Sequence, residues 1–160
     1  MKEKTNIKER PQIRALPEDF EKIKNRALRI LALRDHSKQE LKTKLKKQFK
    51  IDDSEMEVIF DYLSQLSLLP DETDLSRRWV CQWRKEGKGR HWILAKLRSK
   101  GLFFKGLKDD DDEHETAMVF IGKKLAGKSL KDLTYEERIK LGRALVSRGF
   151  SMSLVAEIIK

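Results

Sequence analysis

The chain has 160 residues, of which 39% are charged and 39% hydrophobic, with 3 Pro, 1 Cys and a net charge of +10. This length excludes two large domains, and the scarcity of proline among so many charged residues indicates a helical protein. The excess of positive charge favours an acidic or polyanionic partner, with nucleic acid as the first candidate.

The cellular compartment can be predicted from the cysteine content and from the apolar runs. Cys81 is the single cysteine, which excludes a disulfide framework and a paired-cysteine metal site. The N-terminal residues are basic and lack the apolar core of a signal peptide, and no run approaches the ~20 apolar residues of a membrane span. We therefore expect a cytoplasmic protein with no membrane association.

Three short helices are predicted between residues 18 and 69. The first carries apolar residues at helical spacing. Ser37-Lys-Gln-Glu40 has the pattern of a capping box at the start of the second helix, and Asp52 is placed to cap the third. The third helix must end before Pro70, because proline lacks the backbone donor that a helix interior needs.

The same helical unit recurs along the chain, which decides the architecture. A basic amphipathic helix appears in the sequences ELKTKLKKQFK, WILAKLRSKGL and KLGRALVSRGF, which align on Leu45, Leu97 and Leu145. The last two end at Gly101 and Gly149, each placed to adopt the left-handed conformation that follows many helices. Each basic helix is preceded by another amphipathic helix.

This self-similarity predicts an all-α fold of three tandem three-helix repeats, of the helix-turn-helix type, in an elongated and curved arrangement. We assign residues 1–17 to a basic N-terminal tail, 18–69 to repeat 1, 70–108 to repeat 2 and 109–160 to repeat 3. Repeat 2 is expected to have a shortened last helix, because LFFKGLK runs directly into an acidic stretch. Ser151 is placed to cap the last helix of repeat 3.

Positive charge is concentrated in one part of the chain. Residues 77–105 contain ten Lys or Arg and one acid, whereas residues 51–74 contain eight acids and no base, and residues 109–115 contain six acids. Such a cluster is unfavourable without a partner, because its charges repel one another. A steep salt dependence of binding would indicate DNA, and a shallow one an acidic protein groove. The candidate binding residues are Arg84, Lys85, Lys88, Arg90, Lys96, Arg98, Lys100, Arg143 and Arg148.

All three tryptophans lie in this basic segment. Interleaved aromatic and basic residues are typical of single-stranded nucleic acid binding, in which bases stack on the rings. Trp79 and Trp83, however, are spaced i, i+4 on the apolar stripe of their helix, which favours packing in the core. Trp92 follows a Gly-Lys-Gly turn and is expected to be more open.

One motif suggests a different activity. Gly122-Lys-Lys-Leu-Ala-Gly127-Lys128-Ser129 matches the G-x-x-x-x-G-K-[ST] phosphate-binding pattern, and the apolar residues before it have the composition of a short strand. A nucleotide-binding sheet also needs several parallel strands, whereas the 31 residues after Ser129 are predicted to be helical. We therefore interpret the match as a coincidence in which Gly127 ends a helix and the lysines lie on the surface. An ATPase is the alternative.

Other patterns of catalysis or metal binding are incomplete. His36, His91 and His114 lie in different predicted helices, and Cys81 has no base near it in sequence. The acidic run Asp109–Asp112 lacks the ligand spacing and the glycine of a calcium loop, which favours a solvated turn. The prediction is a protein with no cofactor, no metal and no catalytic activity of its own.

Several stretches resemble one known family. RALRILALRDHSKQEL, the Leu68-Leu69-Pro70-Asp71 turn before LSRRWV, the Gly87-Lys88-Gly89 link, and the LRSKG and LVSRGF helix ends resemble the bacterial regulatory protein RecX over roughly residues 20–160. Two departures are visible. The helix-ending glycine usual in the first repeat is absent around Gln48-Phe49, and Ser76 stands where alanine is usual.

The resemblance implies three tandem three-helix repeats and a regulatory function rather than an enzymatic one. Proteins of this family bind the RecA recombinase filament, lie along its helical groove and lower its ATPase and strand-exchange activities, and they thereby regulate DNA repair and recombination. The expected partner is therefore the RecA filament, bound by a monomer. The alternative is a basic helical module that binds single- or double-stranded DNA without RecA.

Overall fold

A computed structural model describes residues 19–107 and 111–160 of the chain. The predicted basic tail and the first two residues of the acidic run lie outside the described residues. Within the described part the secondary structure is helical, with no strand, as the repeat pattern predicted. The α-helices are α1 Phe20–Leu33, α2 Lys38–Lys46, α3 Asp53–Gln65, α4 Glu72–Lys85, α5 Arg90–Ser99, α6 Asp111–Leu125, α7 Tyr135–Ser147 and α8 Met152–Ile158.

Repeat 1 consists of α1, α2 and α3, and its helix boundaries follow the predicted caps. The hydroxyl of Ser37 accepts a hydrogen bond from the backbone N–H of Glu40, at 3.1 Å, and the side chain of Glu40 reaches back to complete the capping box. Asp52 forms a second capping box with Glu55 at the start of α3. The three helices enclose one core, which contains the fully buried Leu41. Burial of each such leucine stabilises the repeat by ~1.5–3 kcal/mol.

Repeat 2 contains α4 and α5. The structure corrects the prediction of a short last helix in this repeat. Residues 102–107 form no helix. Gly101 ends α5 with a φ of +70°, and Leu102 and Leu107 then bury their side chains in the repeat core from an irregular segment. Two leucines in irregular chain therefore cover the core that a third helix would otherwise cover.

Repeat 3 consists of α6, α7 and α8, with a short 3-10 helix, Leu130–Asp132, between α6 and α7. Thr134 caps α7 in a third capping box. Ser151 occupies the N-cap position of α8 as predicted, but it makes no capping hydrogen bond. Its hydroxyl bonds instead to the carboxylate of Glu113 on α6, at 3.0 Å, so that this serine ties two helices together.

Repeats 1 and 2 meet where the end of α5 reaches the start of α2, a contact we call junction 1–2. The hydroxyl of Ser37 donates to the carbonyl oxygen of Lys100 at 2.6 Å, and the ammonium of Lys100 pairs with the carboxylate of Glu40. A second ion pair joins Arg78 to Asp35 at 2.7 Å. The carbonyl end of α5 thus faces the N-terminus of α2, an orientation that the helix dipoles favour.

Repeats 2 and 3 meet in the same way, where the end of α7 reaches the start of α5, a contact we call junction 2–3. The N–H groups of Gly89 and His91 donate to the carbonyl oxygens of Arg148 and Gly149, each at 2.9 Å. Gly149 has a φ of +85°, and a Cβ added to it would lie 2.3 Å from the backbone nitrogen of Trp92. The close approach of these backbones therefore requires glycine at this position.

Candidate partner-binding surface

The phosphate-loop pattern lies in a helix rather than after a strand. Gly122 is inside α6, so the strand alternative is wrong. The helix ends at Leu125, and Gly127 adopts a φ of +98°. The Lys128 ammonium pairs with the Glu137 carboxylate at 2.8 Å, which stabilises the ionised carboxyl and lowers its pKa to about 2. The backbone around this lysine therefore lacks the strand-to-helix turn that cradles phosphate.

The nine candidate cations are distributed over four parts of the structure. Lys85 is exposed near the end of α4, and Lys88 is half-buried in the link to α5. The face of α5 that looks to solvent carries Lys96 and Arg98, and the corresponding face of α7 carries Arg143. The half-buried members of the set are Arg84, Lys88, Arg90, Lys100 and Arg148. Whether any of these residues binds a partner stays a prediction.

Two of these cations lie over the ring of Trp92. The ammonium of Lys88 is 4.5 Å from the ring centroid and that of Lys96 is 5.9 Å from it. The ring is half-buried and packs edge-on against Trp83, with centroids 5.4 Å apart. Trp83 is buried, and Trp79 packs partly buried in the same cluster, which confirms that both belong to the core. Cation–π attraction therefore favours the placement of both ammonium groups beside this ring.

Junction 2–3 adds cations from repeat 3 to this place. The Lys123 ammonium donates to the carbonyl oxygen of Lys85 at 2.7 Å. The guanidinium of Arg148 lies 4.6 Å from the centroid of Phe120, and the ammonium of Lys124 lies 6.0 Å from it. The three sets of contacts adjoin, because Gly149, next to Arg148, packs on Trp92, and Gly87, next to Lys88, packs on Phe120. We call this group of cations the junction surface: Lys85, Lys88, Lys96, Lys123, Lys124 and Arg148.

Helix polarity explains why so many cations meet at the junction surface. Lys85 lies in the last turn of α4, Lys123 and Lys124 in the last turn of α6, and Arg148 at the C-cap of α7. The carbonyl groups at a helix C-terminus carry partial negative charge and stabilise cations there. Packing three helix ends around the start of α5 therefore brings their terminal cations together.

Lys100 belongs to a different place, although sequence placed it in the same set. Its ammonium pairs with Glu40 and lies 4.6 Å from the centroid of Trp79. Burial alone would raise the pKa of Glu40, but hydrogen bonds from Arg34 and Lys100 outweigh it and lower that pKa to about 2. Lys100 therefore stabilises junction 1–2, and its ammonium is engaged in an ion pair within the protein.

The remaining candidates are not joined to the junction surface by the contacts described above. Arg84 and Arg90 line a small cavity of about 10 Å³, together with Glu113 and Thr116, between repeats 2 and 3. Arg98 and Arg143 are exposed on separate helices. The geometry thus divides the predicted set into residues at the junction surface, residues beneath it and residues on other faces.

Lys123 and Lys124 are the members of the junction surface that the sequence-based selection missed. Both stood inside the phosphate-loop match, where they were interpreted only as surface cations. Their place in the last turn of a predicted helix was the available signal, because terminal cations of neighbouring helices converge when the helix ends pack together. Which helix ends pack together is a tertiary property.

The described residues contain neither a metal-binding cluster nor a helix that could cross a membrane. Within residues 19–107 and 111–160, no group of three or more His, Cys, Asp or Glu side chains is arranged to hold a metal ion. Among the helices of the same ranges, none is both long enough and apolar enough to cross a membrane.

Comparison with known proteins identifies the family. A protein of Mycolicibacterium smegmatis, named Regulatory protein RecX, is 32% identical over 150 residues, which cover 87% of this chain and 78% of that protein. The chain belongs to the RecX family. A second Regulatory protein RecX, from Prosthecochloris aestuarii, is 29% identical over 141 residues, with 87% of this chain and 92% of that protein covered.

Family models and solved structures agree with this assignment. The model described as the first three-helix domain of RecX matches residues 24–53, and the model of the third three-helix domain matches residues 111–159. The crystal structure of RecX from Lactobacillus salivarius superposes with a TM-score of 0.60 at 23% identity, covering 88% of this chain and 94% of that one. A further RecX crystal structure superposes with a TM-score of 0.56, also at 23% identity, covering 86% and 70%. The tandem helical fold of the family is therefore the fold of this chain.

Proposed function

We propose that this protein binds the RecA recombinase filament and modulates it, mainly by lowering its ATPase and strand-exchange activities, and so regulates DNA repair and recombination. Membership of the RecX family, whose curated relatives are named regulatory proteins, supports the proposal. The protein acts without a catalytic site, cofactor or metal of its own, as a monomer in the cytoplasm.

The observation that carries this proposal is the junction surface. It gathers six cations from α4, the link to α5, α5, α6 and the end of α7, and thus from two repeats, at one place on the protein. A helical filament presents the same groove at regular intervals, and tandem repeats reach along such a groove. We expect acidic residues of the groove to face these cations. Several weak ionic contacts on one scaffold add through effective concentration, so that no single contact has to be strong.

The test measures RecA-driven, DNA-dependent ATP hydrolysis with and without a stoichiometric amount of this protein. We expect the protein to lower the rate of hydrolysis. The double variant Lys85→Glu with Lys123→Glu should lose most of this inhibition, because it reverses two exposed cations that adjoin each other. The matched control is Lys50→Glu with Lys131→Glu, which changes the net charge equally at exposed positions elsewhere. An unchanged ATPase rate at all salt concentrations would contradict the proposal.

Direct DNA binding is the second candidate, and the paired lysines on Trp92 favour it. A cation on an aromatic ring beside further cations is a common element of single-strand binding surfaces. Reversal of the exposed pair Lys96 and Arg98 to glutamate should then abolish binding to bare oligonucleotides, and binding of the unaltered protein should fall steeply with salt. A pull-down on naked DNA against RecA filaments separates the two candidates, because recovery with filaments alone excludes this one.

A further inference from the structure

Repeat 1 contains a groove far in sequence from the junction surface. It lies between the second half of α1 and the C-terminal part of α2 and has a volume of about 530 Å³. The groove is lined by Arg26, Arg29, Ile30, Ala32, Leu33, Lys44, Lys47 and Gln48. The proposed function makes no use of these residues.

The lining is cationic without internal compensation. Arg26, Arg29, Lys44 and Lys47 contribute four positive charges, and no acidic residue lines the groove. Other cations of repeat 1 do pair with acids. Those pairs are Lys22–Asp19, Lys24–Glu21, Arg34–Glu40, Lys42–Asp53 and Lys46–Asp53. Within the described residues none of the four lining cations forms such an ion pair. Lys44 donates a hydrogen bond to the neutral His36 ring, which leaves the positive charge of the groove uncancelled.

Arg26 supplies a second, independent observation. Its Nε atom is buried, and among the described residues no hydrogen-bond partner satisfies it. A buried N–H group without a partner is unfavourable and is rare in folded proteins. Arginine forms paired, planar hydrogen bonds with carboxylates, and Arg26 lines the groove, so a carboxylate is the group that suits its guanidinium.

The groove also has an apolar side. The side chain of Leu33 is 85% exposed, whereas Ile30, one turn before it on α1, is buried with 4% exposed. An exposed leucine next to four cations has no role in binding a phosphate backbone, and no aromatic ring lines the groove on which a base would stack. An aliphatic side chain of a peptide, by contrast, removes the surface of Leu33 from water when it docks there.

We propose that this groove docks an acidic peptide segment of a partner protein, with carboxylates on the arginines and lysines and an aliphatic side chain on Leu33. The site is separate from the junction surface, and the proposal stands whether or not the proposed function does. The partner's segment is recognised by charge and by one apolar anchor rather than by a nucleotide.

The test measures the fluorescence anisotropy of a labelled synthetic peptide in which glutamate and aspartate residues flank a leucine. We expect the double variant Arg29→Glu with Lys47→Glu to bind this peptide at least about tenfold more weakly, because each lost charge-assisted hydrogen bond contributes roughly a factor of this size. Both residues are exposed, so the variant should keep the fold. The matched control, Lys38→Glu with Lys50→Glu, reverses two exposed cations outside the groove and should bind nearly as well as the unaltered protein.

The apolar anchor is tested with Leu33→Ser and with a second peptide in which serine replaces leucine. Leu33→Ser should weaken the leucine peptide and leave the serine peptide unchanged. Equal weakening by the groove variant and by the control variant would overturn the proposal, since it indicates attraction to net charge alone. Displacement of the peptide by a single-stranded oligonucleotide, with oligonucleotide affinity lost in the groove variant, would also overturn it and assign the groove to nucleic acid.

Discussion

The two junctions between repeats join the same kinds of helix end by different means. At junction 1–2 side chains make the contacts, through the Ser37 hydroxyl and the ion pair of Lys100 with Glu40. At junction 2–3 the backbones of Gly89 and His91 bond directly to the end of α7. The first junction therefore depends on charge and on pH, whereas the second depends on direct contact between two backbones.

The difference follows from one position in the sequence. Ser37 begins α2 where Gly89 begins α5, and a Cβ on Gly89 would lie 2.4 Å from the carbonyl carbon of Gly149. Glycine at the helix start lets the backbones approach, and serine keeps them apart but supplies a hydroxyl to bridge the gap. The residue at the N-cap of the basic helix, Ser37 in repeat 1 and Gly89 in repeat 2, thus determines whether backbones or side chains make the contact.

The largest expected effect is on junction 2–3. Gly149→Ala should lower the free energy of unfolding by about 3 kcal/mol, because a left-handed backbone costs alanine ~1–2 kcal/mol and the overlap with Trp92 adds a similar amount. The measurement is urea unfolding followed by tryptophan fluorescence. Gly122→Ala is the control, since Gly122 is inside α6 with no atom within 4 Å of an added Cβ, and it should stabilise the protein slightly.

Gly101 at junction 1–2 corresponds to Gly149 at junction 2–3, so the same substitution there compares the two junctions directly. Gly101 has a φ of +70°, and an added Cβ would lie 2.7 Å from the Cβ of Gln39 but would meet no backbone of α2. Gly101→Ala should therefore cost less than Gly149→Ala, at about 2 kcal/mol. If the two variants unfold at the same urea concentration, the proposed distinction between the junctions is wrong.

A smaller effect is expected from the ion pair of junction 1–2. Glu40→Gln leaves the half-buried Lys100 without its carboxylate and should lower the free energy of unfolding by about 1–2 kcal/mol. The loss relative to the unaltered protein should shrink as salt is added. Glu57→Gln, at an exposed position on α3, provides the control and should change little. A loss no larger than that of the control would mean that the Ser37 hydrogen bond and the Arg78–Asp35 ion pair hold the junction without Glu40.

The smallest effect concerns the pH dependence of stability. Glu40 of junction 1–2 and the buried His36, which directly precedes Ser37, act in the same direction. Burial lowers the pKa of His36 below 6.5, and the nearby cations of Arg34 and Lys44 lower it further, against a hydrogen bond to the Arg34 carbonyl that raises it. Because the unfolded chain then takes up the proton first, stability falls as the pH drops below 6.5. Glu40 stabilises the fold fully above pH 4.5, and this contribution is lost as the pH falls towards 2.

The measurement is the urea midpoint as a function of pH for the unaltered protein and for His36→Gln. The imidazole accepts from the Lys44 ammonium at 2.9 Å and donates to the Arg34 carbonyl at 2.8 Å, which fixes the neutral form in the fold. The variant should therefore lose the decline between neutral pH and pH 4.5 and keep the decline below it. Parallel curves for both proteins would assign the upper decline to other groups.

The sequence predicts the helices of this fold well, because their signals are local. Capping boxes at Ser37 and Asp52 and the leucines aligned on Leu45 are short-range patterns, and the structure confirms the helices that they mark. The missing third helix of repeat 2 could not be predicted in the same way. The spacing of Leu102 and Leu107 does not distinguish a helix from an irregular segment. The shape of the core determines that both side chains are buried there from an irregular segment.

The two departures from the family pattern have simple structural explanations. Ser76 is buried in α4, and its hydroxyl donates to the carbonyl oxygen of Glu72 at 2.6 Å, which satisfies the polar group. Around Gln48 the chain continues without a left-handed glycine, and Phe49 packs against the core of repeat 1. Within residues 19–107 and 111–160 no helix start docks on this end of α2, so no close backbone approach among them requires glycine there.

The candidate surface was predicted only in part, since charge content is visible in the sequence but its position is not. Lys88 and Lys96 both lie within four residues of Trp92 in the chain, and the structure places both ammonium groups beside its ring. Lys100 has the same charge and follows the same helix, yet it turns towards Glu40, 60 residues away. Long-range pairing of this kind leaves no local signal, and the role of the other cations stays a prediction.

The end-to-end order of α7, α5 and α2 has a consequence for how such a protein changes its length. Each helix presents a carbonyl end to the amino end of the next, so the three form a directional series in which every link has the same sense. A unit that extends the series must dock with the same polarity, with the carbonyl end of its basic helix on the amino end of the next basic helix. The polarity of the peptide bond therefore sets the direction in which the series extends.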